Sequence, residues 1–254
     1  MEIKVLGCSG GVGMNLRTTT ILVDQDVLID AGTGVGDLSM DEMSAIRHIF
    51  LTHSHLDHIA CVPLLVDTLF DRLHTPITVH AQAATLDALQ QHVFNNVIWP
   101  DFTRLPTAEK PVLRFEVMSV GEVVTLGDRR FESIGVNHTV PGVGYRVETP
   151  GGVFAFSGDT TTNDSFWAGL NAHSKLDVLM VEAAFPNEEI ELCRRAGHYC
   201  PEMLARDLTK LKLKPKVYIS HNKPGAESKI FEQCRQAIKS HEIHPLNGGV
   251  HFTL

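Results

Sequence analysis

The sequence predicts an α/β chain of the α+β kind, a sheet-rich core flanked by helices, on three observations. Short runs rich in Val, Ile and Phe recur between polar turns, helical periods lie between several of them, and the strands cluster first and then alternate with helices. In order, the strands are "IKVL" (3–6), "TTILV" (19–23), "VLID" (27–30), "HIFL" (48–51), "ITVH" (77–80), "RFESI" (130–134), "VFAF" (153–156), "DVLMV" (177–181) and "KVYI" (216–219). Helices follow from the 3.6-residue period of Leu86, Leu89 and Val93, of Leu204, Leu208 and Leu211, and of Ile230, Cys234 and Ile238. Ile59–Phe70 is apolar nearly all round and predicts a helix buried on most faces, with Pro63 tolerable only in its first turn.

At 254 residues the chain can bury a substantial core, and no linker, low-complexity run or repeat divides it. Residues 1–254 are therefore expected to form one domain. The start, "MEIKVLGCSGG", has no basic region followed by a long apolar run, and no later stretch is apolar enough to span a bilayer. Cys8, Cys61, Cys193, Cys200 and Cys234 are an odd set without a CxxC pair, which points away from a disulfide framework and towards a reducing cytoplasm. The expectation is a soluble, cytoplasmic protein. A formal charge of −8 without a basic cluster argues against gripping long nucleic acid, because Lys and Arg supply most of that affinity. A small anionic substrate fits if a metal supplies the positive charge.

Residues of metal-ligating type fall just beyond strand ends. "HIFL" runs into His53, "ESIGVN" into His138, "VFAFSG" into Asp159 and "KVYIS" into His221. Open α/β sheets place their sites there, since the strand fixes the backbone and the next loop faces a cleft. The densest stretch, "LTHSHLDHIA" (51–60), sets His53, His55, Asp57 and His58 within six residues. In an extended segment His53 and His55 point the same way and can share one metal, while Asp57 and His58, at the turn into the helix, face a neighbouring position. Imidazole and carboxylate together suit a transition metal, zinc by default, with manganese or iron also accepted. Two ions use all four residues if further ligands arrive from elsewhere. His48, His74, His80, His92, His173, His241 and His244 lack such a context and read as surface or core histidines.

With these residues in view, nearly the whole chain resembles the metallo-β-lactamase fold superfamily. "THSHLDH" matches its metal motif, "VLIDAGTG" resembles the strand whose Asp, here Asp30, supports the ligands, and "FSGDT" resembles the segment of the bridging carboxylate, here Asp159. The resemblance implies a four-layer αββα sandwich and two divalent ions: one held by His53, His55 and His138, the other by Asp57, His58 and His221, with Asp159 bridging. Within the superfamily the sequence is most similar to the class II 3′,5′-cyclic-nucleotide phosphodiesterases, relatives of the ribonuclease Z group. "HSHLDHIA", "HVFNNVIWPDFTRLP" (92–106) and "GHYCPEML" (197–204) carry that likeness, and Cys61 departs from it where a Gly or Ser is usual.

Two such ions would lower the pKa of a shared water towards neutrality and neutralise a phosphate or acyl oxygen, producing a hydroxide nucleophile. The metal core does not choose between phosphorus and carbon as electrophile. His198 favours phosphorus: it lies before a probable helix beginning at Pro201, where the phosphodiesterase branch carries a histidine that protonates the leaving oxygen. The expected function is thus a dinuclear phosphodiesterase for a small diester such as a cyclic nucleotide, with His198 as general acid and Asp57 both ligand and catalytic residue. The alternative is a thioester or lactone hydrolase with the same ligands. Gly10, Gly11 and Gly13 either bring backbone amides to a phosphate or shape a turn. Arg17 and Thr18 are candidate substrate contacts, and a homodimer is expected to use the loop of Trp99 and Phe102.

Overall fold

Strand side chains alternate between the two faces of a sheet, and here both faces are apolar, so each sheet has to be covered twice. The computed structural model describes residues 1–254, and its layers meet that requirement. Its strands are β1 (Glu2–Gly7), β2 (Thr20–Val23), β3 (Val27–Ile29), β4 (His48–Phe50), β5 (Ile77–Ala81), β6 (Pro106–Thr107), β7 (Lys110–Pro111) and β8 (Leu113–Val117), followed by β9 (Val123–Leu126), β10 (Arg129–Gly135), β11 (Val143–Glu148), β12 (Val153–Phe156), β13 (Val178–Glu182), β14 (Lys216–Ser220), β15 (Ile243–Pro245) and β16 (His251–Thr253). One sheet runs β16-β1-β2-β3-β4-β5-β8 and the other β15-β14-β13-β12-β11-β10-β9, with β6 and β7 apart as a small hairpin.

Alternation sorts the apolar side chains into three cores. Ile21, Val23, Val27 and Ile29 of the first sheet meet Phe154, Phe156, Val178 and Met180 of the second between the sheets. Leu22 and Leu28 point the other way. That outer face of the first sheet is covered by α2 (Leu56–Ile59), α3 (Cys61–Thr68) and α4 (Ala83–His92), with Met43 of α1 (Met40–Ala45) packed against the same core. Val153, Ala155, Leu179 and Val181 face outward from the second sheet, beneath α5 (Ser165–Asn171), α6 (Ile190–Ala196), α7 (Pro201–Leu208) and α8 (Glu227–Ala237). The result is the αββα order of layers, and no helix in it is long and apolar enough to cross a membrane.

All nine predicted runs are strands in the structure, and the three helical periods are α4, α7 and α8, although Val93, Leu211 and Ile238 lie just past the helix ends. Of the strands not expected, β9 alternates between exposed and half-buried residues, while β11 is buried along nearly its whole length with Gly144 and Arg146 interrupting its apolar run. Ile59–Phe70 departs from its expectation. It is divided between α2, α3 and a final 3₁₀ turn, and Leu64, Asp67 and Thr68 leave one face of α3 open. Pro63 does sit in the first turn of α3, where no helical N–H is lost. In the loop after α4, Phe102 is 2% exposed and belongs to the core under α3, while Val97 and Ile98 face outward.

A direct tie between the sheets lies next to the loop of the "HSHLDH" motif. The hydroxyl of Tyr145, on β11, is fully buried and donates to the Leu51 carbonyl at 2.8 Å, two residues before His53. Removing that donor strands a buried carbonyl. Tyr145→Phe is expected to cost about 1–3 kcal/mol, seen as a Tm lower by roughly 2–4 °C per kcal/mol; an unchanged melting curve would show that the tie carries no stability.

Candidate metal centre

β3, β4, β5 and, in the other sheet, β12, β13 and β14 are mutually parallel within their sheets, so their carboxyl ends gather at one end of the sandwich. Every sequence-predicted ligand emerges there. Asp30 follows β3, His53, His55, Asp57 and His58 follow β4, His138 follows β10, Asp159 follows β12 and His221 follows β14. Donor atoms of His53, His55, His138 and Asp159 lie within 4.8 Å of one another, and so do those of Asp57, His58, Asp159 and His221. Asp159 is common to both groups.

The geometry inside the cluster is that of groups turned towards shared centres. Asp159 Oδ2 is 3.3 Å from His58 Nε2 and 3.7 Å from His53 Nε2, while its Oδ1 is 3.2 Å from His221 Nδ1. Asp57 Oδ2 stands 3.8 Å from Nε2 of both His58 and His221. His138 Nε2 lies 3.1 Å from His55 Nδ1. His53 Nε2, His58 Nε2, Asp159 Oδ1 and both ring nitrogens of His221 are buried without a hydrogen-bond partner. An unpaired buried polar atom costs about 1–3 kcal/mol, so five of them converging on one place fit a bound cation as their missing partner.

The far sides of three of the rings are held instead. His58 Nδ1 is 2.6 Å from Asp30 Oδ2, His53 Nδ1 is 3.0 Å from Thr52 Oγ1, and His138 Nδ1 donates to the Gly197 carbonyl at 2.8 Å. Asp30 also accepts from the Thr52 amide at 2.8 Å and from its hydroxyl. Such outer hydrogen bonds fix the tautomer and leave Nε2 lone pairs facing inward.

Electrostatics point the same way. Burial holds His53 well below the ordinary histidine pKa and pushes His221 down to about 3, so both rings are neutral donors of electron pairs, as metal ligands must be. His58 is the exception. Burial opposes its charge, yet Asp159 and Asp30 outweigh that and raise it well above the usual range, marking a spot where these carboxylates demand positive charge.

The comparisons with known proteins agree with this architecture. Residues 25–221 match the beta-lactamase superfamily domain. The chain belongs to that superfamily. With the family comes the class of chemistry, that of a metal-dependent hydrolase. Among curated relatives, a probable 3′,5′-cyclic-nucleotide phosphodiesterase of Yersinia pestis is 26% identical, covering 100% of this chain and 86% of that protein. Ribonuclease Z of Haloarcula marismortui is 27% identical over 78% of each. Among solved structures, unliganded yeast PDE1 superposes with a TM-score of 0.82 at 18% identity, over 100% of this chain and 99% of that one.

Around the superfamily cluster, sequence reasoning missed one residue of consequence. Glu182, the last residue of β13, is fully buried, and its Oε1 lies 2.7 Å from His198 Nδ1. The signal was available, since Glu182 closes "DVLMV" at the same strand-end position as the other site residues. Thr18 is buried with its hydroxyl accepting from the Thr33 amide at 2.8 Å, whereas Arg17 pairs with Asp37 at 3.1 Å at the surface. Gly10 packs against the His221 carbonyl, where a Cβ would come within 2.5 Å, so this glycine serves close approach of two loops.

Asp30→Asn keeps the shape of the side chain and removes its charge. Zinc affinity, measured by competition with a chelator, is expected to fall roughly 10- to 100-fold, and wild-type affinity in that variant would show that Asp30 does no more than brace Thr52.

Proposed function

We propose that this chain is a dinuclear metal-dependent phosphodiesterase acting on a small phosphodiester, a 3′,5′-cyclic nucleotide first among them. His53, His55 and His138 would hold one ion, Asp57, His58 and His221 the second, and Asp159 would bridge, with zinc favoured by the imidazole-rich set. When bound, the pair supplies Lewis acidity that neutralises phosphate charge and makes the attacking water more acidic.

The observation that carries the reading is the His198–Glu182 pair. Glu182, His198 and Asp159 also place donor atoms within 4.8 Å of one another, but Glu182 is already committed. Its Oε1 takes His198 Nδ1 and the Thr160 amide at 2.8 Å, and its Oε2 takes the Tyr199 amide at 3.2 Å. The carboxylate therefore supports an imidazole rather than an ion, leaving His198 Nε2 to face the reacting phosphorus. Burial works against charge on His198, and Glu182 outweighs it, so the pKa stands above its ordinary value and the ring carries a proton to give. An alkoxide leaving group needs that proton; a thiolate needs it far less. Asp57, whose side chain is 29% exposed, is the carboxylate of the cluster that reaches solvent and is suited to orient the attacking water and accept its proton.

The second reading is a nuclease acting on RNA, which the Haloarcula ribonuclease Z supports as a relative. The charge of −8 without a basic cluster favours the smaller substrate. A panel of bis-p-nitrophenyl phosphate, cyclic AMP, a structured RNA and a glutathione thioester separates these readings. Turnover of the thioester alone would overturn the phosphodiesterase proposal.

Two variants test the roles. His198→Ala should keep its metals while kcat on cyclic AMP falls roughly 10²- to 10⁴-fold, with a much smaller loss on the p-nitrophenyl ester, whose leaving group barely needs a proton. Equal losses on both would remove His198 from proton transfer. Glu182→Gln withdraws the charge that raises His198, so the imidazole should lose its proton at lower pH and the alkaline limb of the kcat profile should move down in pH; an unmoved limb would contradict the pairing.

A further inference from the structure

Beside His198 the loops after β13 and β14 are laced together. Lys223 donates its amide to the Ala184 carbonyl at 3.0 Å, Ala184 donates to Tyr199 at 2.9 Å, and the Asn222 side chain donates to Ala183 at 2.7 Å. The loop after β1 joins them, with the Gly10 amide on the Asn222 carbonyl at 3.0 Å. Out of this lattice the rings of His58, His221, His198 and Phe185 form a row with successive centroids 5.4, 5.2 and 5.8 Å apart, leading from the buried cluster towards half-buried Phe185. Lys223 ends the row. Its Nζ lies 5.7 Å from the Phe185 ring centre and donates to the Gly10 carbonyl at 2.8 Å.

The position of that ammonium calls for a partner. No carboxylate comes within 4 Å of it, and an ammonium has three donors, of which Gly10 takes one. The lacing also means that the cation is held in place before substrate arrives, and a preorganised charge loses less on binding than a free side chain.

We infer that Lys223 is a substrate-binding residue that takes a non-bridging phosphate oxygen, with Phe185 and Gly10 fixing its ammonium beside His198. This rests on the phosphodiester reading. A charge-assisted hydrogen bond of this kind is worth enough to shift affinity roughly tenfold or more.

The test uses the metal-loaded full chain with bis-p-nitrophenyl phosphate, cyclic AMP and the product-like probe adenosine 5′-monophosphate. Lys223→Gln keeps a donor for Gly10 and removes the charge. It is expected to raise KM for both diesters, and the Kd for the mononucleotide by calorimetry, roughly tenfold or more, with kcat changed far less and Lys223→Arg recovering most of the loss. Phe185→Leu, which leaves the charge but loosens it, should raise KM by a smaller factor and serves if Lys223→Gln does not fold. Unchanged KM and Kd in Lys223→Gln, or in Phe185→Leu where it alone folds, would overturn the assignment while wild-type diester turnover leaves the phosphodiesterase reading standing. Absence of wild-type diester turnover would overturn that reading, and this inference with it.

Discussion

One carboxylate, Asp159, only 3% exposed, sets the terms for this end of the molecule. It faces three imidazoles at 3.2 to 3.7 Å, and several of the atoms involved have no partner in the chain. Groups of this kind do not cluster by attraction among themselves. Buried carboxylate oxygens and imidazole lone pairs all present negative potential, so the fold must bring them together by force of packing elsewhere and leave the balance to a cation.

The packing that supplies this force is the three-core sandwich. Strands buried on both faces hold their ends firmly, and Asp30, His53, His138, Asp159, Glu182 and His221 lie at or within three positions of such an end. Two of them, Asp30 and His221, adopt left-handed backbone conformations with φ of 58° and 57°. Non-glycine residues pay for that conformation and keep it only where the surroundings impose it. Here the Asp30 amide is pinned to the Phe50 carbonyl at 2.8 Å and the His221 amide to Cys8 at 2.7 Å, which turns each side chain into the site. Cys193 adds a similar restraint, its thiol donating at 3.0 Å to the carbonyl of His198.

A further cavity lies beside the loop after β14. It has a volume of about 670 Å³, and its lining includes Lys4, Arg17, Asp37 and Asn222, on the β1 side of the sandwich. Its cations are already matched, Arg17 with Asp37 and Lys4 with Glu42, both at 3.1 Å. The unpaired groups gather at the strand ends and not in this cavity.

The nine apolar runs, the three helical periods and the crowding of His53, His55, Asp57 and His58 are local facts, legible because alternation, the 3.6 period and ligand type are each written in a few consecutive residues. The edge strands were not legible, because their residues are half-exposed and their structure comes from the neighbours they pair with, whereas α1 starts at a Ser39–Glu42 capping box that the sequence does carry. Phe102 reads as a surface aromatic in sequence, and only the fold of its loop over α3 buries it. Likewise, that His198 follows α6 by two residues is visible in the chain, whereas its 2.7 Å contact with Glu182 joins segments 16 residues apart. Sequence alone determined which residues could do the chemistry. Which of them meet was decided by two sheets stacking with the carboxyl ends of their parallel strands at the same end, since distances between loops from different strands depend on that stacking and on nothing encoded within any one of them.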